Sequence, residues 1–133
     1  MIAVDTNVIV RLMTRDDEAQ YLRAREVFQC NEVFIPDTVL LETAWVLGYA
    51  YDFKRKAIAK ALSTLCGQPN VHLANGALVA QTIAWYQNGM DFADALHLAQ
   101  SASCEALLTF DASFIKKAKK LSHCRVAEPP IRM

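Results

Sequence analysis

Residues 1–10 read MIAVDTNVIV, and the change of pattern at Asp5 decides how the chain begins. The run 2–4 is apolar, mostly β-branched and too short for a helix, so it predicts a strand that ends at Asp5. Thr6 or Asn7 then caps a short helix. Asp5 has two explanations at this stage. It is either a polar residue of a surface turn or cap, or an acid held at a strand end because chemistry occurs there.

Short apolar runs alternate with longer helical patterns along the rest of the chain. The predicted strands lie at 33–36, 71–74, 106–110 and 125–128, the last of them at a sheet edge. The predicted helices lie at 16–30, 37 to about 51 with Asp37 as cap, 54–66, 76–88, 92–103 with Asp91 as cap, and after Asp111. This alternation predicts a parallel sheet with helices on both faces. Ligands of such sheets bind beyond the carboxyl ends of the strands, where Asp5 and Asp111 fall.

The composition fits one cytoplasmic domain that covers residues 1–133. Of the 133 residues, 53% are hydrophobic, but no stretch approaches the roughly 18 consecutive apolar residues that cross a bilayer. The N-terminus lacks the pattern of an export signal. The four cysteines form no CxxC pair and have no histidine at ligand spacing, so we expect reduced thiols and no zinc site.

The charge balance does not indicate a nucleic-acid partner, because 14 Lys and Arg offset 14 Asp and Glu. Two local groups of residues are nevertheless basic. They are Lys54, Arg55, Lys56 and Lys60, and Lys116, Lys117, Lys119 and Lys120. Each group is either a surface that guides a nucleic-acid backbone or the solvated face of a helix, and the second explanation is favoured.

Glu42 interrupts a predicted helix that is otherwise apolar. The residues three and four positions away include Val39, Trp45 and Val46. Burial of an unpaired carboxylate costs on the order of several kcal/mol. A buried Glu42 would therefore need a proton, a basic partner or a metal ion. The alternatives are a buried salt bridge and a side chain whose charged end reaches solvent.

Three more acids occupy unusual positions. Asp94 lies between two alanines in a mostly apolar helix, and Asp91 lies one turn earlier on the same face. Asp111 directly follows a predicted strand. Asp91 and Asp111 are equally well explained as helix caps, because an Asp at a helix start accepts backbone N–H bonds.

Convergence of Asp5, Glu42, Asp94 and Asp111 at one edge of the sheet would require a cation. Two carboxylates about 4 Å apart repel by roughly 4 kcal/mol at an effective dielectric constant of 20. Ligation by oxygen alone is typical of magnesium or manganese. Such an ion lowers the pKa of bound water and stabilises charge on the leaving oxygen of a phosphodiester. The pattern therefore indicates metal-dependent phosphodiester hydrolysis.

Four motifs carry a family resemblance, and they occur in the same order across essentially the whole chain. They are VDTNV with Asp5, LLETAWVL with Glu42, DFADALHLA with Asp94 and LLTFDASF with Asp111. Together they resemble the PIN-domain ribonucleases, specifically the VapC-type toxins of bacterial toxin–antitoxin pairs. The resemblance implies a three-layer α/β/α sandwich with a mainly parallel central sheet. It also implies endoribonuclease activity dependent on Mg²⁺ or Mn²⁺, a homodimer, and inhibition by a small antitoxin encoded alongside.

The resemblance also assigns roles to the acids. Asp5 and Asp94 match the principal metal ligands, Glu42 completes the cluster or orients the water, and Asp111 is a peripheral member. Asp91 lies outside this set.

Three polar residues match positions that support the acids or contact a phosphate. They are Thr6, Asn7 and Thr109. His97 lies three residues after Asp94 and is either a general base or, as we favour, a packing or hydrogen-bonding residue, since the metal already supplies hydroxide.

Two other functions and one structural question stay open. In a phosphoaspartyl phosphatase Asp5 would attack phosphorus, but such sites usually place a second acid two residues on, where this chain has Asn7. A non-catalytic PIN-like binding or dimerisation module is disfavoured by the complete set of acids. Trp45 and Trp85 either stack on bases or, as we favour, pack in the core or in a dimer.

Overall fold

The computed structural model of the chain describes residues 1–130, so the last three residues of the predicted domain lie outside it. The order of elements is β1 (Ile2–Ala3), α1 (Thr6–Thr14), α2 (Glu18–Cys30), β2 (Val33–Phe34), α3 (Asp37–Tyr49), α4 (Arg55–Cys66), β3 (Val71–His72), α5 (Gly76–Gln87), α6 (Phe92–Gln100), β4 (Leu107–Leu108), α7 (Ala112–Leu121) and β5 (Val126–Ala127). Within this part of the chain, no helix has the length and apolar character that crossing a bilayer requires.

The strands pair in parallel, which confirms the α/β class predicted from the alternation. In the larger sheet β1 pairs with β2 and β2 with β3, and Val33 lies opposite both Ile2 and Val71. A second sheet pairs β4 with β5, with Leu107 opposite Val126. Across residues 1–130 the strands form two separate sheets, one of β1, β2 and β3 and one of β4 and β5. Ile2 is accordingly exposed at the edge of the larger sheet.

Two clusters of buried side chains form the hydrophobic core. The larger cluster packs β2, β3 and Val4, which follows β1, against α1, α3, α4 and α5, and its fully buried members include Ile9, Ile35, Leu47 and Leu62. The smaller cluster packs α5, α6, α7 and β5 together, and it includes Trp85, Met90, Leu98 and Phe114. Trp85 is buried and donates its Nε1–H to Leu121 O at 2.9 Å, which confirms its predicted core role.

Three of the acids considered in the sequence analysis cap helices at the points where strands or loops end. Asp5 accepts from Thr6 N at 2.7 Å, Asp91 from Asp94 N at 3.2 Å, and Asp111 from Phe114 N at 3.1 Å. The caps predicted at Asp91 and Asp111 are therefore confirmed. The prediction that Thr6 or Asn7 caps α1 is wrong, because Asp5 is extended and supplies the cap itself, so the helix begins at Thr6.

Helix α3 differs from its prediction at both ends. Pro36, extended at φ −62° and ψ 147°, is the N-cap residue, so Asp37 is the first helical residue and does not cap the helix. The helix ends at Tyr49, earlier than the predicted Tyr51. The chain then turns through Asp52, whose φ of 55° is incompatible with a continuing helix.

Candidate active site

Asp5 and Glu42 line the same cleft, which lies between the packed helices α1 and α3 and has a volume of about 340 Å³. Asp5 reaches the cleft because it ends β1 and begins α1. Glu42 reaches it from the second turn of α3. The lining residues are Asp5, Thr6, Asn7, Val10, Arg11, Glu42, Val46, Ala50 and Tyr51.

Thr6 connects the two acids of the cleft. Its backbone N–H donates to Asp5 Oδ1 at 2.7 Å, and its hydroxyl donates to Glu42 Oε1. The residue is only 6% exposed, so the surrounding core holds its side chain in place. Through these two contacts Thr6 orients both carboxylates. The second oxygen of each carboxylate accepts no hydrogen bond from residues 1–130.

Glu42 itself is exposed, so the prediction of a buried carboxylate on an apolar face is wrong. Trp45 and Tyr49 follow it by three and seven residues, share its face, and are 61% and 78% exposed. Their rings stack on each other at 4.8 Å, so Trp45 does not pack in the core. The core side of α3 is carried by residues such as Leu40 and Leu47. Because α3 is apolar around most of its circumference, its sequence does not reveal which face is buried.

Asp94 forms a second acidic group with Asp91 and Asp111. Burial raises the pKa of Asp94 above its ordinary value, and the negative charges of Asp91 and Asp111 raise it further. The charges of His97 and Lys117 lower it in part. Asp91 and Asp111 are therefore near enough to repel the Asp94 carboxylate, and negative charge accumulates around it.

The end of β4 orients Asp111 through local hydrogen bonds. Asp111 N donates to Thr109 Oγ1 at 3.0 Å, and Asp111 Oδ1 accepts from Phe114 N. Asp111 resembles Asp5 and Asp91 in using one carboxylate oxygen for its cap. The other oxygen of each of these acids accepts no hydrogen bond from residues 1–130. Capping therefore does not prevent any of them from binding a ligand.

The four acids of the predicted set lie in two groups, Asp5 with Glu42 and Asp94 with Asp111. No three His, Cys, Asp or Glu side chains of the described residues are arranged so that they could hold a metal ion. The helices that carry the two groups are contiguous, because α3 packs against both α1 and α6. Their donors are carboxylate oxygens, and the like charges around Asp94 would be relieved by a cation. The donor chemistry therefore fits a hard divalent ion.

A family model for the PIN domain matches residues 2–120, from β1 to within one residue of the end of α7. The chain belongs to the PIN-domain family. The matched range contains every residue of the predicted site. PIN domains are generally nucleases, so the family match assigns this chain to the PIN-domain nucleases as a class. Among curated proteins no match to the chain was found.

The sequence did not indicate two residues that lie at the PIN-domain cleft. Arg11 and Tyr51 line it. The four-residue spacing from Asn7 could have placed Arg11 on the same face of α1, whereas no local signal marks Tyr51.

Asp37 accepts from Gln100 Nε2 at 3.2 Å through Oδ2, and its buried Oδ1 has no hydrogen-bond partner in residues 1–130.

His97 does not pack in the core, although that was one of the roles favoured from the sequence. It is exposed on α6, and its ring makes no hydrogen bond within residues 1–130. Its influence on the acids is electrostatic, because its charge lowers the pKa of Asp94. Within the described residues, the His97 ring therefore has no hydrogen-bonding role.

Proposed function

We propose that this PIN domain is a cytoplasmic endoribonuclease that depends on Mg²⁺ or Mn²⁺. We further propose that the chain works as one domain and is the toxin of a VapC-type toxin–antitoxin pair. The observation that carries the nuclease proposal is the pair of carboxylates, Asp5 and Glu42, which the buried Thr6 orients within one cleft. The choice of RNA and the toxin role are supported by the four sequence motifs.

The proposed metal ligands are Asp5, Glu42, Asp94 and Asp111. The two groups of acids would have to approach each other to share one divalent ion, which would lower the pKa of water and stabilise charge on the leaving oxygen. In the reaction, water oxygen forms a bond to phosphorus, the bond to the leaving oxygen breaks, and that oxygen takes a proton. The second oxygen of Glu42 would orient the water, because Thr6 donates to the other one. Asn7 lies in the same cleft, where its amide would contact a phosphate.

The lysines of α7 supply the positive charge proposed to guide RNA. All four are exposed, and Lys117 lies near enough to Asp94 to lower its pKa. The other basic group contributes less than its sequence suggests. Arg55 donates to the backbone oxygens of Tyr86 and Met90, both at 2.7 Å, and stacks on the Tyr86 ring, so it has a structural role.

Exposed aromatic side chains support the proposal of protein partners. Trp45 and Tyr49 form a stacked pair on α3, and Phe110 at the end of β4 is 81% exposed. Large exposed apolar surfaces are typical of protein interfaces. We propose that such surfaces are covered in a homodimer and by the antitoxin. Light scattering of the purified chain and co-purification with the product of an adjacent small reading frame test the two partners separately.

The test of the nuclease proposal is cleavage of a structured RNA with Mg²⁺, Mn²⁺ or EDTA. We expect cleavage by the wild type only with a metal, and background rates for Asp5→Asn, whose amide still caps α1. Asp17→Asn is the matched control, because Asp17 caps α2 in the same way, accepting from Gln20 N at 3.0 Å, and lies outside the cleft.

Three outcomes would contradict the proposal. Equal cleavage by Asp5→Asn and wild type would exclude Asp5 from the reaction. Absence of cleavage by the wild type with every metal and RNA would favour the non-catalytic module. A phosphate trapped on Asp5 would favour the phosphoaspartyl phosphatase.

A further inference from the structure

We infer that Arg11 binds an RNA phosphate in the cleft, beside the bond that Asp5 and Glu42 are positioned to cut. The inference rests on the proposed nuclease function and extends it from the acids to the substrate. Arg11 lies outside all four motifs that contain the acids.

The position of Arg11 suits a phosphate next to the reacting one. Arg11 follows Asn7 by four residues, so both occupy the same face of α1, and both line the cleft. It follows Asp5 by six residues, which corresponds to about 9 Å along a helix. In residues 1–130 the guanidinium pairs with Asp16 at 3.4 Å and forms no salt bridge with Asp5 or Glu42. The cation and the acids therefore lie at separate places in one cleft.

The Arg11 side chain is held in place before any ligand binds. Its Nε–H donates to Gln20 Oε1 at 2.7 Å, and Nη1 donates to Tyr51 OH at 3.2 Å and to Asp16 Oδ1. Tyr51 OH in turn donates to Asp16 Oδ2 at 2.7 Å. A long side chain fixed in this way loses little further entropy when it binds a ligand.

The contacts of Arg11 leave one end of the guanidinium open. Its Nη2 donates to no residue in the range 1–130, so two N–H groups remain for a ligand. The Arg11 side chain is 29% exposed, which gives that ligand access. A planar, permanently charged guanidinium matches the oxygens of a phosphate better than an ammonium does. An RNA backbone is the ligand of this chemistry that the proposed reaction brings into the cleft.

The test measures binding of a single-stranded RNA by fluorescence anisotropy in EDTA, where the proposed reaction does not occur. We expect Arg11→Met to weaken binding by about tenfold and to reduce the slope of log K against log salt by about 0.7, the value for one phosphate contact. Arg11→Lys, which keeps the charge, should bind with intermediate affinity. Arg15→Met is the matched control, because Arg15 lies one turn away, pairs with Glu18 and lies outside the cleft.

Cleavage kinetics separate a substrate contact from a structural tie. If Arg11 binds a phosphate beside the scissile bond, Arg11→Met raises KM more than it lowers kcat. Tyr51→Phe, which keeps the ring and removes one support of the guanidinium, should produce a smaller change in the same direction. This second variant and Arg11→Lys keep the inference testable if Arg11→Met does not fold.

Two results would overturn the inference while the nuclease proposal stands. One is unchanged RNA affinity and salt slope in Arg11→Met together with a lower Tm, which would make Arg11 a tie between α1 and the loop after α3. The other is loss of a protein partner with unchanged RNA binding, which would assign the guanidinium to a carboxylate of that partner. Conversely, weaker RNA binding by Arg11→Met would support the inference even if the wild type proved inactive in cleavage.

Discussion

At the scale of single residues, the contact between Thr6 and Glu42 is the most informative feature of the site. Glu42 is exposed, so packing alone does not restrict its rotamer, whereas Thr6 is buried. The hydrogen bond transfers the rigidity of the core to a carboxylate at the surface. A metal ligand or water-orienting group needs this kind of support, because loss of such supporting bonds typically costs about 10–100-fold in metal affinity or activity.

Replacing Thr6 with valine tests this support. Valine preserves the shape and removes the hydroxyl, so Glu42 would rotate into solvent. We expect cleavage to fall by about tenfold or more and the free energy of unfolding to fall by about 1 kcal/mol. Thr43→Val is the control, because Thr43 is fully buried on α3, the helix that carries Glu42, and its hydroxyl donates only to Val39 O at 2.7 Å. Equal cleavage by Thr6→Val and wild type would exclude a supporting role.

Asp94→Asn should abolish cleavage and stabilise the fold at neutral pH when EDTA is present. The pKa of Asp94 is raised by burial and by Asp91 and Asp111, so its ionisation destabilises the folded state. The unfavourable contribution develops as pH rises from the ordinary Asp pKa of about 4 through the raised pKa. Urea denaturation should therefore show a stability difference at pH 7 that vanishes near pH 4.

Asp52→Asn is the control for loss of one negative charge, since Asp52 is exposed and, although it follows Tyr51, does not line the cleft. It should lack the pH-dependent gain in stability. Unchanged turnover in Asp94→Asn would exclude Asp94 from the reaction, whatever its effect on stability.

At the scale of secondary-structure elements, helix starts position most of the acids. Asp5, Asp91 and Asp111 each cap a helix with one oxygen, so backbone N–H groups fix the direction of the carboxylate. Two explanations that compete in the sequence, cap and ligand, are thus compatible in the structure. Helix α7 adds a lysine-rich surface directly after Asp111.

Charge reversal on α7 tests whether that surface binds RNA. We expect Lys116→Glu with Lys117→Glu to weaken binding of the single-stranded RNA and to reduce its salt dependence, by about 0.7 units of slope for each phosphate that the lysines no longer neutralise. Lys119→Glu is compared with Lys117→Glu to determine which side of α7 contacts RNA, because the two side chains lie about 200° apart around the helix. Equal affinities for all these proteins and the wild type would mean that the lysines only face solvent.

At the scale of the whole molecule, the two acidic groups belong to different parts of the fold. Asp5 and Glu42 lie beside the larger cluster, and Asp94 and Asp111 lie on helices that contribute to the smaller one. Helix α3 packs against α1 and α6 and so connects the two regions. A shared cation would therefore link both halves of the core.

Mn²⁺ binding should raise the Tm of the whole chain if both acidic groups bind the same ion. At ten times its Kd, one bound ion stabilises the fold by about 1.4 kcal/mol. We expect Asp5→Asn and Asp94→Asn each to remove most of this gain in thermal denaturation, and Asp17→Asn to retain it. If only one of the two variants lost the gain, the groups would not share a cation.

Several features of this PIN domain follow from the sequence alone, because they depend on local chemistry. The alternation of strands and helices requires only periodicity, and the caps at Asp91 and Asp111 require only a short acid before a helix. The same reasoning assigned the wrong cap at the start of α1 and placed Asp37 in the wrong role. Both errors are shifts of one residue. At α1 neighbouring polar residues compete for the same backbone N–H groups, whereas at α3 the extended Pro36 precedes a helix that already includes Asp37.

Only the tertiary structure decided which surfaces are covered and which distant side chains meet. Glu42 is exposed because neighbouring elements cover the other side of α3, and a helix that is apolar nearly all round does not specify that side. Arg11 contacts Tyr51 across forty positions, and His72 likewise pairs with Glu32 at 2.8 Å. Contacts of this range arise when packed elements bring their surfaces together. Local sequence patterns therefore supplied the candidate residues, and packing determined which of them share the cleft.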